Sequence, residues 1–224
     1  MGIGVRSIRL DEVKLDPAVM GALGPDGRLV VHPAEFWQQF TQNEIAVFCV
    51  RHAFYCLPTQ ELVAWLKQEI GTQTALEIGS GNGVLAKSLG IPATDNRMQE
   101  WPEIAAHYAA ARQPTVKYGP NVVTFTGEEA VQEFKPEVVI AAWVSHRYDP
   151  RQPARMGNSH GVVEESILPL VKRYLFIGNM TVHRDKPILG LTHQEYYYRW
   201  LVSRAFTPEE NFIGVWETDH SSSP

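Results

Sequence analysis

From residue 58 onward the apolar positions alternate between helical stripes and short unbroken runs. Pro58 and Thr59 read as a helix start, with Thr59 as N-cap and Glu61 near the positive end of the dipole. Leu62, Trp65, Leu66 and Ile70 mark one apolar face, and Gly71 closes the helix. Residues 75–78 (ALEI) form a short apolar run ending in glycines, as a buried parallel strand does. A short helix over 84–89 stops at Gly90 and Pro92, and 91–95 reads as a second strand. The pattern then predicts a helix over 101–112 with Pro102 in its first turn, a β-branched strand over 121–126 and a short helix over 128–134. Residues 137–143 read as a fully buried strand, 166–171 as helix and 173–180 as strand. A helix around Glu195–Ser203 and a last strand near 211–217 complete the series. Such alternation implies βαβ units, right-handed crossovers and a parallel sheet with helices on both faces. Ligands of such sheets bind past the carboxyl ends of the strands, so chemistry is expected in 77–83, 95–98, 126–129, 143–148 and 178–183.

Before residue 58 the rhythm is irregular. Gly24–His32 reads as a Pro-Asp-Gly turn and a short strand. Phe36, Trp37 and Phe40 recur at helical spacing and start at least one helix within 33–56. The expected organisation is an N-terminal segment, 1–57, and an α/β domain over 58–220. The segment either covers a pocket or packs as a buried helix. The tail 221–224 (SSSP) is expected to fray.

Composition narrows this picture modestly. The 224 residues suit one domain with an added segment. A net charge of -5 disfavours a protein built to coat nucleic acid, although a local basic patch stays compatible with it. The longest apolar run, Val138–Val144, is far short of a membrane span, and the N-terminus lacks a signal-peptide layout. A cytoplasmic location with no membrane partner is the expectation. Cys49 and Cys56, seven apart, would share one helix face. They read as small buried hydrophobes, since two thiols make neither a disulfide framework nor a zinc site. No metal is expected.

The chemistry-bearing stretch is TALEIGSGNGVLAKSLG, residues 74–90. Gly79 lets the chain turn after the strand, Gly81 lets backbone approach a ligand, and Gly83 permits close packing. A dinucleotide turn, G-x-G-x-x-G, would need a glycine where Val84 stands. An acid, Glu77, precedes the turn, and another, Asp95, follows the second strand. Asp95 suits ribose hydroxyls. Each has a plainer reading too, Glu77 as a cap of the next helix or the partner of a lysine, and Asp95 as a turn residue.

ALEIGSGNG resembles motif I of the class I S-adenosylmethionine (SAM) dependent methyltransferases, and ATDN the end of their second strand. YCLPTQEL (55–62) and PEVVIAAW (136–143) extend the resemblance to small bacterial methyltransferase-like proteins, over about residues 53–180. The resemblance implies a Rossmann-like fold with a mostly parallel seven-stranded sheet and SAM as cofactor. It implies that Gly79, Gly81 and the backbone of Ser80–Asn82 face the methionine end of SAM, which Glu77 helps to anchor, with Gly83 counted in the same cofactor turn. Asp95 and Asn96 would hold the ribose, Thr126, Gly127 and Glu128 would flank the adenine, and Ala142 and Trp143 would end the strand beside the sulfonium.

The polar loop 143–161 follows that strand directly, as a binding loop would. His146 is the expected general base, because imidazole titrates near working pH. Ser145 would orient an acceptor. Arg147, Arg151 and Arg155 make the loop basic, which suits an anionic substrate or is a solvated surface. Tyr55 and His52 would close over the cofactor, and His183 is a weaker candidate. The loop lacks the Pro-Pro tetrad of methylases that act on base amines, which disfavours DNA. The expected acceptor is a small molecule or a protein side chain. A SAM-binding module without catalysis and a nicotinamide oxidoreductase are the alternatives.

Overall fold

The structure is a computed structural model that describes residues 13–218. The expected tail 221–224 and the first twelve residues of the N-terminal segment lie outside it. After a 3-10 turn at Pro17–Ala22 come helices α1 (Ala34–Gln38) and α2 (Gln42–His52). The second starts on a Thr41–Glu44 capping box. Strand β1 (Cys56–Leu57) leads into α3 (Gln60–Ile70), capped by the Thr59 hydroxyl accepting from Leu62 N–H and closed by Gly71. Next are β2 (Ala75–Ile78), α4 (Val84–Leu89), β3 (Ala93–Asp95), α5 (Pro102–Ala110) and β4 (Val122–Thr124). Then follow α6 (Gly127–Phe134), β5 (Val138–Ala142), α7 (Glu164–Ile167), β6 (Arg173–Asn179) and α8 (Met180–His183). The chain ends with β7 (Gln194–Tyr196), β8 (Val202–Ser203) and β9 (Asn211–Glu217).

Seven strands form one sheet in the order β4-β3-β2-β5-β6-β9-β7. Five neighbours from β4 to β6 run parallel, and β9 pairs antiparallel with β6 and β7. This is the mostly parallel, Rossmann-like, class I methyltransferase-like sheet that the resemblance implies. The chain winds outward from β2 to β4, then returns to β5 on the other side of β2. The switch point therefore lies between β2 and β5.

Alternation along the strands builds two cores. Val139, Ala141, Tyr174 and Phe176 pack on one face with Ala130 and Val131 of α6 and Ile167 of α7. Val138, Ile140, Leu175 and Ile177 pack on the other with Leu62, Leu66 and Ile70 of α3. Each buried Val, Leu, Ile or Phe among them, taken from water, contributes about 1.5–3 kcal/mol. The N-terminal residues form a third cluster around Trp37, Phe48 and Leu57, tied to the rest by the β1–β8 pair.

Four local expectations need correction. Glu195–Ser203 is not a helix but two strands, β7 and β8. Tyr196, Tyr198 and Trp200 stack their rings in sequence, and between the two strands the chain turns at 199–200, where Leu201 N–H donates to Tyr198 O. Leu29 and His32 make isolated bridges rather than a strand. The helix expected over 166–171 starts earlier, at Glu164, and passes into a 3-10 turn at Leu168–Leu170 because Pro169 offers no N–H. Cys49 and Cys56 do not share a helix, since α2 ends at His52. Burial drives both thiols upward in pKa, Cys56 to about 12, so both are inert.

Candidate functional site

A cavity of about 280 Å³ opens at the carboxyl ends of the parallel strands, at the switch point. Of the expected cofactor residues, Glu77, Gly79, Ser80, Gly81, Asn82, Asp95, Asn96, Thr126, Gly127, Glu128, Ala142 and Trp143 all line it. Gly83 does not. It caps α4 at φ 71, and a Cβ there would stand 2.6 Å from Val122 Cγ2, so its part is packing against β4.

The glycine turn is built from both sides. Gly79 has φ 56, and a Cβ there would meet Val144 Cγ1 at 2.4 Å. Gly81, at φ 53, donates its N–H to Asp95 Oδ2 at 2.9 Å. Asp95 Oδ1 accepts from Arg97 N–H at 2.8 Å. Burial nonetheless pushes the Asp95 carboxyl above its usual range. Glu77 is 2% exposed, and its Oε2 accepts from Ala86 N–H, so it does cap α4. Burial, with Asp95 nearby, pushes its pKa to about 8.

Three buried polar atoms of cavity-lining residues have no partner among the described residues: Ser80 Oγ, Glu128 Oε2 and Trp143 Nε1. Protein interiors rarely leave such groups unpaired, because each costs about 1–3 kcal/mol. Trp143 also holds a left-handed backbone, φ 60, which costs about 1–3 kcal/mol for a bulky residue. Its N–H donates to Ile177 O at 2.9 Å, and its ring meets the edge of His183 at 5.0 Å. Unpaired polar atoms and backbone strain around one cavity are the marks of a ligand site.

Parity along the next three residues places His146 apart from the cavity. Ser145 and Arg147 line the cavity, and His146 between them does not. The chain is extended here, bridged in parallel to Val162 and Asn158, so neighbouring side chains point to opposite sides. The His146 ring turns into its own loop, with Nε2 3.0 Å from Arg155 O. His52 is likewise outside the cavity, its ring against Phe48 at 4.7 Å and Phe54 at 5.8 Å. His183 is buried, and burial with Lys186 nearby lowers its pKa to about 3, so it stays neutral.

The basic loop is also less basic at the cavity than expected. Arg147 Nη2 sits 3.3 Å from Glu128 Oε1, which offsets its charge. Arg151 pairs with Asp149, and neither it nor Arg155 lines the cavity. Tyr55 does line it. Its hydroxyl is 3.4 Å from that of Tyr108 and accepts from Gln99 Nε2 at 3.4 Å. Ala53, the left-handed cap of α2 at φ 54, turns the chain so that Phe54 and Tyr55 reach the wall.

Tyr108, Tyr118, Gln99 and His160 line the cavity without having been singled out in the sequence. His160 is the one histidine among the lining residues. Its carbonyl accepts from Asn96 Nδ2, and its ring meets Trp101 at 4.8 Å. It arrives through the loop's return to Ser145 and Arg147, which no sequence period encodes.

Comparison with models of known protein families finds no match, and comparison with curated proteins finds none. Solved structures do align. A precorrin-6y C5,15-methyltransferase from Geobacter metallireducens is 14% identical, over 71% of this chain and 89% of its own, with TM-score 0.35. A putative SAM-dependent methyltransferase from Streptococcus mutans is 9% identical, over 71% of this chain, with TM-score 0.39, and the match spans 48% of that protein. A putative RNA methyltransferase from Pyrococcus horikoshii is 13% identical, over 81% of this chain and 85% of its own, with TM-score 0.34. Similarity this distant carries no argument about the site, which stands on its own geometry.

Proposed function

We propose that the protein is a SAM-dependent methyltransferase (EC 2.1.1) acting on a small molecule or a protein side chain. The observation that carries this is the one cavity lined by the glycine turn, by Asp95 and by Ser80, Glu128 and Trp143 with their three unpartnered atoms. SAM supplies an electrophilic methyl on a sulfonium. The residues present fit it. Gly81 leaves the backbone of 80–82 open to the methionine end, with Ser80 Oγ and the Glu77 carboxyl as its polar partners. Asp95 keeps lone pairs for ribose hydroxyls beside Asn96, and Glu128 Oε2 is an acceptor for the adenine amino group.

Methyl transfer needs the acceptor aligned in line with the methyl, and this chain supplies walls for that. Tyr55 and Trp143, with ring centroids 6.4 Å apart, flank the approach, and Ser145 offers a hydroxyl. His160 replaces His146 as the imidazole available to take an acceptor's proton. A dinucleotide is disfavoured, because Val84 packs its side chain against the N-terminal cluster where a third glycine would stand.

Calorimetry with SAM, S-adenosylhomocysteine and NAD tests the cofactor. Binding of NAD without SAM refutes the proposal. Transfer of labelled methyl into small-molecule, protein and RNA fractions tests the acceptor, and label in RNA alone would overturn that part. A module that binds SAM without turnover is the second reading, favoured by the turned-away ring of His146. Tight binding with no label in any fraction would establish it.

A further inference from the structure

Beneath the cavity lies a buried charge network that the proposed chemistry does not use. Lys186, just after α8, is 3% exposed, and Glu164 of α7 is fully buried. The Lys186 ammonium is held by an ion pair, a hydrogen bond and an aromatic ring. Glu164 Oε2 lies 2.6 Å away, Val144 O accepts at 2.9 Å, and the Phe176 ring lies beneath at 4.5 Å. Tyr174 OH donates to Glu164 Oε1 at 2.8 Å, so the carboxylate is held from β6 as well. Replacing such a pair by apolar residues is often neutral for stability, so its presence calls for another reason.

The partner that stands out is the Val144 carbonyl. Val144 follows the strained Trp143, and its side chain fills the space that a Cβ on Gly79 would need. Ser145, next along, lines the cavity. The Val144–Ser145 peptide that Lys186 grips thus links the residue packed against Gly79 to one that lines the cavity. A left-handed tryptophan persists only where surrounding contacts over-determine it.

The geometry points to Lys186 as a positioning residue: its ammonium, balanced by Glu164, pins the Val144 carbonyl and holds the Trp143–Val144 turn against the glycine turn in the shape that ligand binding needs. The ligand readout rests on the SAM reading of the cavity, whereas the pinning is a property of the free protein.

Two paired variants separate this from simple core stability. Lys186→Met with Glu164→Leu removes both charges and the donor, and Lys186→Gln with Glu164→Gln removes the charges but keeps a donor for Val144 O. In the free protein the Trp143 amide should exchange at least about tenfold faster in the Met/Leu pair and near the wild-type rate in the Gln/Gln pair. S-adenosylhomocysteine should bind at least about tenfold more weakly to the Met/Leu pair alone. Equal exchange in all three proteins overturns the proposal, as does equal loss in both pairs. If wild type fails to bind S-adenosylhomocysteine, the cavity reading falls while the exchange comparison still decides the pinning. Should the Met/Leu pair not fold, 15N NMR of wild type decides. Slowly exchanging Lys186 ammonium protons support the proposal, and their exchange at the rate of surface lysines overturns it.

Discussion

Glu77 is where the site's electrostatics can be read as stability. It sits on β2, fully buried, with one hydrogen bond from Ala86 and the Asp95 carboxyl nearby. Burial lifts its pKa from 4.5 to about 8 in the folded protein. Between those values the folded carboxyl binds a proton that the unfolded chain has lost. The sign follows: its contribution is fully present below pH 4.5, and it is lost as pH rises until the folded pKa is passed. At about 1.4 kcal/mol for each pH unit, the gap between 4.5 and about 8 caps the loss at about 5 kcal/mol. Glu77→Gln keeps an acceptor for Ala86 N–H and removes the titration. The variant should match wild type at pH 4 and gain on it as pH rises, levelling above pH 8. For a chain of this size the gain corresponds to about 10–20 °C in melting temperature. Urea or thermal unfolding of both proteins across that range measures the difference, which also cancels the similar pull of Asp95 and Glu164. Parallel stability curves would refute the reasoning, since they would mean that Glu77 ionises as freely in the fold as out of it.

Other outcomes follow from the same geometry. Gly79→Ala combines φ 56 with a contact of 2.4 Å to Val144 and should cost about 2–4 kcal/mol in urea unfolding. At Gly81 a Cβ would have Val116 Cγ1 as its nearest neighbour, at 3.7 Å, so Gly81→Leu costs backbone strain at φ 53 and fills the approach to the turn, and should abolish S-adenosylhomocysteine binding by calorimetry. Asp95→Asn should weaken that binding about tenfold or more, because the amide is a poorer acceptor for ribose hydroxyls and for Gly81 N–H. His146→Ala should keep ligand affinity and methyl transfer while making the loop 145–162 more open to limited proteolysis, and lost transfer with intact affinity would restore its role as base. His160→Ala should lower transfer with binding intact.

The strands and most helices were legible because burial is periodic. Val138–Ala142 reads as one apolar run since both faces of β5 are covered, and the stripe Leu62, Leu66, Ile70 marks α3 because one face packs. Asp95 was legible because the acid and the glycine turn belong to neighbouring strands of one sheet. The stretch 194–203 was misread because its apolar and aromatic residues suit a helical stripe as well as two short strands joined by a turn. Only the free edge of β9 and the short partner β1 decided between them.

What the sequence by itself determined is the set of faces that must be buried and the place where the backbone must turn on glycines after β2, since both depend on neighbours a few residues away. Only the tertiary structure decided which side chains meet there. Ser145 and Arg147 face the cavity and His146 does not, because the bridges to Val162 and Asn158 set the parity of an extended segment. Lys186 reaches Val144 across forty-two positions of sequence, and His160 returns to the rim through a loop. Those contacts come from pairing energies between distant segments, which no local period records.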